Sequence, residues 1–331
     1  MRLFMFVILA VALATSAIAD MAKLNQIKFS GYIQARYESD EDSTDGVDAN
    51  GNSTNKDSFY VRRARVKLTA NPTVRTQLVY QADLTNDVTT KDAYLGYIMG
   101  DNQDVAATFL MGQMKWPFGW EIIESSTVRE TPERAIVIQK LFPGERDKGA
   151  MFSSPIKNRF RWEAGLFNGT GANTDDDNSA KDFVSRFRYK VNSRLNAGVS
   201  SYFGRTFVPP PTPPGLGTNV DKDRYGADFQ YYLSTATVKG EWIFGKDGET
   251  DSQGGYLQLA QNFGPKYTGV VKYDTFDPNT DAGSDRLTRW HLGVIRYLDE
   301  KTKLKFFYEL NTQNGAKPDN DIFRAEIVSI F

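Results

Sequence analysis

The chain has no cysteine and only one histidine among its 331 residues. Without cysteine no disulfide can stabilise the fold, so stability must come from buried surface or from a surrounding bilayer. One histidine and no thiolate also argue against a zinc site of the usual kind. Serine hydrolysis needs a base beside the nucleophile, and only His291 is available, without a GxSxG motif. The residue inventory therefore predicts no enzyme, no metal site and no cofactor.

Long apolar runs are missing as well, except near the N-terminus. Residues 3–13 form an apolar run after one arginine, and small residues follow at Ala17 and Ala19. This order is typical of a secretory signal peptide, and the run is too short for a membrane helix, which needs about 20 residues. The sequence predicts a signal peptide at 1–19 and a mature domain at 20–331.

Neither sign of charge dominates, because 40 basic residues face 41 acidic ones. This balance gives no reason to expect nucleic acid as a partner. Aromatic residues are abundant, with 22 Phe, 16 Tyr and 5 Trp, although only 40% of all residues are hydrophobic. A membrane barrel with an apolar outer face and a polar lumen has this combination, and a secreted soluble β-protein could share it.

Apolar and polar residues alternate along sixteen strand-length segments. In the segment 57–70, Tyr60, Arg62, Ala64 and Val66 fall on one face, where Arg62 interrupts an apolar pattern. Connections after even-numbered segments are short, and most of those after odd-numbered segments are long, including 205–221. Outer-membrane barrels combine short periplasmic turns, long outer loops and an even strand number, and a soluble sandwich has no reason to sort loops this way. The predicted fold class is therefore all-β, a transmembrane antiparallel barrel of sixteen strands.

The C-terminus and the segment 113–146 add to this prediction. The chain ends on Phe331 after an alternating segment, which resembles the assembly signal of bacterial outer-membrane proteins. Residues 113–146 are too many for an ordinary hairpin connection. They carry apolar residues such as Trp116, Phe118 and Ile138, which a solvated linker would lack. We expect this third outer loop to fold into the barrel lumen.

Three stretches resemble the phosphate-selective porin O and P family of Gram-negative outer-membrane channels. They are FYVRRARVKLTA (Phe59–Ala70), GQMKWPFGWE (Gly112–Glu121) and ERDKGAMF (Glu145–Phe152). The resemblance implies a sixteen-stranded barrel, commonly a homotrimer, located in the outer membrane in contact with its lipid. It also implies that the third outer loop, 113–146, is a constriction.

Candidate solute-binding residues follow from strand alternation. If the apolar faces point to lipid, a set of cations on the first three strands faces the lumen, where rings of basic residues select anions. These are Arg36, Arg63, Arg65, Lys67 and Arg75. Alternatively, they pair with inward acids as a network that stiffens the barrel. The loop cations Arg129, Arg134 and Lys140 could line the narrowest point or could anchor the loop to the wall.

The predicted function is a passive outer-membrane diffusion channel for small hydrophilic solutes, with a preference for anions such as phosphate. Members of the family that select phosphate are similar in placing lysines at the constriction. Here the loop from Lys115 to Lys148 carries six basic and six acidic residues. A general or weakly cation-selective porin is therefore an alternative, and a plugged structural or adhesive barrel is another.

Overall fold

The computed structural model of the chain describes residues 27–44, 46, 54–100, 107–156, 159–210, 217–283, 285–313 and 320–331. The predicted signal peptide lies outside these residues. No helix within the described ranges is long and apolar enough to cross a membrane.

Sixteen strands form one closed antiparallel barrel, in which each strand pairs with its sequence neighbours and the last pairs with the first. The strands are β1 (Ile27–Asp40), β2 (Ser58–Ala70), β3 (Thr76–Asp83), β4 (Thr89–Met99), β5 (Ala107–Lys115), β6 (Arg146–Ile156), β7 (Phe160–Phe167), β8 (Asp182–Lys190), β9 (Leu195–Val208), β10 (Thr218–Tyr232), β11 (Ala236–Asp247), β12 (Thr250–Phe263), β13 (Tyr267–Asp277), β14 (Leu287–Tyr297), β15 (Thr302–Gln313) and β16 (Ile322–Ile330). The predicted fold class and strand number are confirmed.

Alternation sorts side chains between the two faces of the wall. Outward positions carry exposed apolar residues, for example Phe29, Leu257 and Phe306. Inward positions on the same strands carry polar or charged side chains such as Gln34 and Lys305, which are fully buried. An apolar exterior around a polar interior is the arrangement expected of a barrel surrounded by lipid.

The connections divide the barrel into a short-turn end and a long-loop end, as the sequence predicts. One predicted connection is wrong in extent. Residues 205–221 do not form a single long loop, because β9 continues to Val208 and β10 begins at Thr218. The two strands pair up to Val208 and Thr218, so this hairpin projects well beyond its neighbours.

The barrel closes where β1 meets β16, next to the C-terminal residue. The Phe331 backbone N–H donates to the Gly31 carbonyl at 3.0 Å, and the Gly31 N–H donates to the Phe331 carbonyl at 3.2 Å. The Phe331 ring lies 5.7 Å from the Phe29 ring. A Cβ at Gly31 would overlap the Phe331 ring and the Arg65 carbonyl. The terminal aromatic residue is thus part of the seam.

A β-bulge interrupts β2. Gln34 pairs with Arg63 but Ala35 pairs with Val61, which leaves Arg62 as the extra residue. Alternation is shifted by one position beyond the bulge, so Tyr60 pairs with Arg36 and shares its inward face. The prediction that Tyr60 and Arg62 lie on the apolar face is therefore wrong for both residues.

The segment between β5 and β6, Trp116–Glu145, is here named the inner loop. Its only regular element among the described residues is a short helix, α1 (Ile136–Leu141), with Ile136, Val137 and Ile138 buried. α1 contacts β12 and β13.

Candidate functional site

The inner loop lies inside the barrel, because it contacts inward side chains from strands around most of the wall. Ser126 contacts β1 through the Tyr32 hydroxyl at 2.7 Å and the Gln34 amide at 3.2 Å. On the far side, the Gly119 N–H donates to Ser200 of β9 at 3.0 Å. Only a segment that crosses the lumen can contact opposite sides of the barrel wall, at β1 and at β9.

An apolar cluster fixes one side of the inner loop. Trp116, Phe118, Ile122 and Phe142 are buried against inward side chains of β8, β9, β11, β12 and β13. The wall members are Val184, Tyr202, Ile243, Tyr256 and Phe276. Burying a side chain of this size contributes about 1.5–3 kcal/mol. The aromatic residues of the loop therefore act as packing anchors.

An arginine clamp holds the other side of the loop. We give this name to Glu133 with Arg36, Arg62 and Arg63. The Glu133 carboxylate accepts hydrogen bonds from Arg36 at 2.9 Å, from Arg62 at 2.8 Å and from Arg63 at 2.9 Å. The bulge makes this possible, since it turns Arg62 toward the lumen beside its neighbour Arg63. Three guanidinium groups on two strands thus converge on one loop carboxylate.

Lysines of the opposite wall bind further loop carboxylates. Lys272 of β13 donates to Glu121 at 2.5 Å. Lys239 of β11 donates to Glu124 at 2.7 Å and to Glu130 at 2.8 Å. Glu241 of β11 accepts the backbone N–H groups of Trp120 and Glu121 at 3.2 and 3.1 Å.

The clamp stabilises the ionised form of Glu133. Burial alone would raise the pKa of this carboxyl, but the charges of Arg63, Arg62 and Arg36 outweigh burial and hold the pKa well below its ordinary value. Glu121 behaves in the same way: burial opposes ionisation, and Lys272 nevertheless lowers its pKa. These loop carboxylates therefore stay charged over the neutral and mildly acidic range.

The single histidine belongs to the wall. His291 is fully buried, with Nε2 2.8 Å from Asp274 and Nδ1 3.2 Å from Glu309. Arg324 also pairs with Glu309 and, at 2.5 Å, with Glu38. This network links β1 and β13–β16 on their inward faces. Among the described residues, both ring nitrogens of His291 lie beside carboxylates, not beside a serine.

The predicted pore cations of the first three strands have four different surroundings. Arg36 and Arg63 are buried in the clamp, and Arg36 also pairs with Glu326 at 2.7 Å. Arg65 pairs with Asp83 at 2.8 Å. Lys67 is half-buried at an inward position, and no ion pair of its side chain is found among the described residues. Arg75 is exposed in the turn before β3.

The predicted loop cations also have different surroundings. Arg129 is 1% exposed and donates to the carbonyls of Thr131 and Pro132. Arg134 is buried and pairs with Glu145 at 2.5 Å. Lys140, at the end of α1, is exposed. Arg129 and Arg134 thus hold the loop together, whereas Lys140 faces open space.

Further inward cations lie near the short-turn end. The last four residues of each strand at this end contribute several inward lysines and arginines but, among the described residues, only one inward carboxylate, Glu163. The cations are Lys28, Lys67, Arg161, Arg188, Lys190, Lys239, Lys303 and Lys305. We name this set the basic mouth. Only Lys67 is among the predicted pore cations. The predicted set leaves out Lys28 of β1, and the other members of the mouth lie on strands beyond the first three, where alternation at the strand ends also indicates inward positions.

Arg161, Lys239 and Lys305 of the basic mouth have acidic partners, namely Glu163, the loop carboxylates and Glu326. No ion pair of the other five is found among the described residues: Lys28, Lys67, Arg188, Lys190 and Lys303. Arg188 lies directly opposite Arg161 on the neighbouring strand. Positive charge without a protein counter-charge therefore accumulates at one end of the lumen.

Comparison with known proteins gives a family and a fold. The family described as phosphate-selective porin O and P matches residues 32–222. No curated protein sequence matches the chain. Among solved structures, a loop L8 deletion mutant of OmpT, an outer membrane protein of Vibrio cholerae, is similar to this chain. Its TM-score is 0.67 at 12% identity, and the match covers 92% of this chain and 99% of that chain. The in-vitro folded trimer form of OmpT gives TM-score 0.66, 11% identity and the same coverages of 92% and 99%.

An anion-selective porin from Comamonas acidovorans is similar as well. Its TM-score is 0.64 at 13% identity, over 92% of this chain and 99% of that chain. At these identities the likeness concerns the fold.

Proposed function

Since the chain belongs to the phosphate-selective porin O and P family, and is thus a diffusion channel of the Gram-negative outer membrane, we propose that it prefers small anions such as phosphate. The family match covers more than half of the chain, and the closed sixteen-stranded barrel agrees with it. In such barrels the short turns face the periplasm and the long loops face outward. The short-turn end is then the periplasmic exit of the channel.

The basic mouth is the observation that carries the anion preference. Rings of lysine or arginine lower the electrostatic barrier for anions and raise it for cations. Of the five cations of the mouth without an ion pair, Lys303 is buried. The other four, which are exposed or half-buried, can act on a passing solute: Lys28, Lys67, Arg188 and Lys190. Charges that a neighbour already neutralises contribute much less. Of the residues predicted from the first three strands, Lys67 belongs to this group, and Arg65 is a secondary contributor because Asp83 neutralises it.

We further propose that the inner loop is the constriction of the channel and that residues 20–331 are one barrel domain released from the signal peptide 1–19. The loop crosses the lumen between β1 and β9, which narrows any path past it. A homotrimer is also proposed, supported by the trimer form of OmpT, which shares the fold.

The test is the zero-current potential of the purified protein in a planar bilayer under a salt gradient. The expected potential has the sign of anion preference, and phosphate titrated against chloride is expected to reduce the chloride current. The double variant Lys67→Gln and Arg188→Gln should move the potential toward zero, because it removes two of the unpaired cations. Lys181→Gln is the matched control, since Lys181 lies in an outer loop and pairs with Asp176.

A wild-type potential near zero, or one of cation sign, would replace the proposal with a general or weakly cation-selective porin. An anion-signed potential that the double variant does not change would show that the preference arises elsewhere in the lumen. A barrel that never conducts would favour the plugged alternative.

A further inference from the structure

The inner loop is attached unevenly to the barrel wall. Hydrogen bonds join it to β1 and β2, and on the other side to β9, β11, β12, β13 and β15. Within the described ranges, no hydrogen bond or ion pair joins the inner loop to β3, β4 or β7. Between these strands lie only β5 and β6, which are continuous with the two ends of the loop. The loop is therefore not bound to the sector of the wall from β3 to β7 except at its own ends.

A gap of about 200 Å³ lies in this sector, between the inner loop and side chains of β4, β5, β6 and β7. Its lining extends along the barrel axis. Asp92 lies near the start of β4, at the long-loop end, whereas Glu163 lies near the start of β7, at the short-turn end. A gap with lining residues toward both ends of the barrel is a passage beside the loop. We name it the side passage.

The charged groups that line the side passage are already bound to protein groups. Asp92 pairs with Arg146 at 2.7 Å, and Glu163 pairs with Arg161 at 2.9 Å. The Lys115 ammonium donates to a carbonyl of the inner loop at 2.9 Å. The lining therefore provides little net field with which to separate anions from cations.

Apolar side chains form most of the remaining lining. Tyr94, Leu110 and Met151 belong to the wall, and Ile123 belongs to the inner loop. All four are half-buried and so keep accessible surface. The three wall residues also pack against the apolar cluster that anchors the loop, which fixes their positions. Leu110 and Met151 lie directly opposite each other on neighbouring strands. We name these four residues the apolar collar.

We propose that solutes pass the inner loop through the side passage and that the apolar collar sets the upper size limit of the channel. Apolar side chains cannot replace the water around a polar solute, so the solute has to fit through the collar together with its bound water. This inference rests on the proposed function, since it takes the barrel as an open channel. It assigns two tasks to two places: the basic mouth acts on the sign of charge, and the collar acts on size.

Cysteine substitution tests the position of the passage, because the chain has no cysteine of its own. In a planar bilayer, Leu110→Cys and Met151→Cys should lose most of their current when a methanethiosulfonate reagent attaches a bulky group to the thiol. A trimethylammonium reagent and a sulfonate reagent should cause similar losses, because bulk and not charge closes the passage. Val270→Cys is the matched control. Val270 is an apolar residue on the inward face of β13 and only 2% exposed, so this variant should keep its current.

The size limit is tested by the swelling of liposomes that contain the protein. Met151→Ala should raise the rate of swelling in raffinose, a trisaccharide, relative to that in arabinose, a monosaccharide, because it widens the collar. Val270→Ala should leave this ratio unchanged. Both variants should keep the zero-current potential of the wild type, since neither changes the basic mouth.

Three results would overturn the proposal. Full current in both collar variants after treatment with the reagent would show that solutes pass elsewhere. A loss of current in Val270→Cys as large as in the collar variants would place the path on the other side of the loop. An unchanged ratio of swelling rates in Met151→Ala would show that the collar does not limit size.

Attachment of the reagent is also measured by mass spectrometry on the detergent-solubilised protein, which requires no current. If the protein carries no current but the reagent labels Met151→Cys and not Val270→Cys, the side passage stands and the proposed channel function fails.

Discussion

Replacing Glu133 with glutamine tests whether the arginine clamp keeps the inner loop in place. The substitution preserves the shape of the side chain but removes the negative charge that three arginines share. Arg36 would keep its ion pair with Glu326 at 2.7 Å, and Arg62 is partly exposed to solvent. Arg63 would keep only its hydrogen bond to the Gln34 amide oxygen at 2.9 Å. Removing one partner of a buried ion pair costs about 3–5 kcal/mol.

The lower end of that range applies here, because one of the two buried arginines keeps a carboxylate. A loss of about 3 kcal/mol raises the ratio of undocked to docked loop by about a hundredfold. In single-channel recordings the variant should therefore show greater open-channel noise and a larger mean conductance than the wild type. Glu249→Gln, an exposed residue at the long-loop end, is the matched control. Noise and conductance equal to those of the wild type would refute the view that the clamp anchors the loop.

The remaining predictions concern pH and two glycines. The arginine clamp lowers the pKa of Glu133. The stabilisation of the docked loop by ionised Glu133 is therefore fully present above the ordinary glutamate pKa of about 4.3, and it is lost as the pH falls through the lowered pKa. Channel noise should thus be unchanged at pH 5 and rise only well below pH 4.3, and a rise between pH 7 and 5 would contradict this assignment. Gly31→Ala should destabilise barrel closure by about 1–3 kcal/mol, since its Cβ would overlap the Phe331 ring. In gel electrophoresis, the mobility shift that marks unfolding of the barrel on heating should therefore occur at a lower temperature for this variant than for the wild type. Gly119→Ala should loosen the inner loop, because Gly119 has φ +56° and a Cβ there would overlap Glu241. Open-channel noise should increase as in the Glu133→Gln variant. Noise equal to that of the wild type would argue that the contact of Gly119 with Glu241 does not hold the loop.

Most of the barrel could be predicted from the sequence because each strand has its own alternating pattern, which depends on two solvents, lipid outside and water inside. The exceptions arise where tertiary contacts override alternation. In the sequence, the bulge of β2 shows only as one arginine, Arg62, on an otherwise apolar face. Its cause is a tertiary contact, because Arg62 donates to Glu133 of the inner loop. Likewise, both ends of the predicted long connection 205–221 continue the pairing of β9 with β10, up to Val208 and Thr218.

The candidate site was harder to predict than the fold, because a count of charges does not show which charges are paired. The inner loop and its flanks carry equal numbers of basic and acidic residues, which suggested weak selectivity. In the structure, wall lysines and the arginine clamp neutralise its carboxylates, and Lys115, Arg129 and Arg134 bind loop carbonyls or Glu145. Among the described residues, Lys140 is the one charge of this segment without such a contact.

A solute that passes the loop therefore meets a different charge pattern from the one that the sequence suggests. The unpaired cations lie on the outer side of the loop, at Lys140, and on its periplasmic side, in the basic mouth. Selectivity should then respond to substitutions at these two places and hardly at all to charge-neutralising changes at Arg129, where the result would be a looser loop instead.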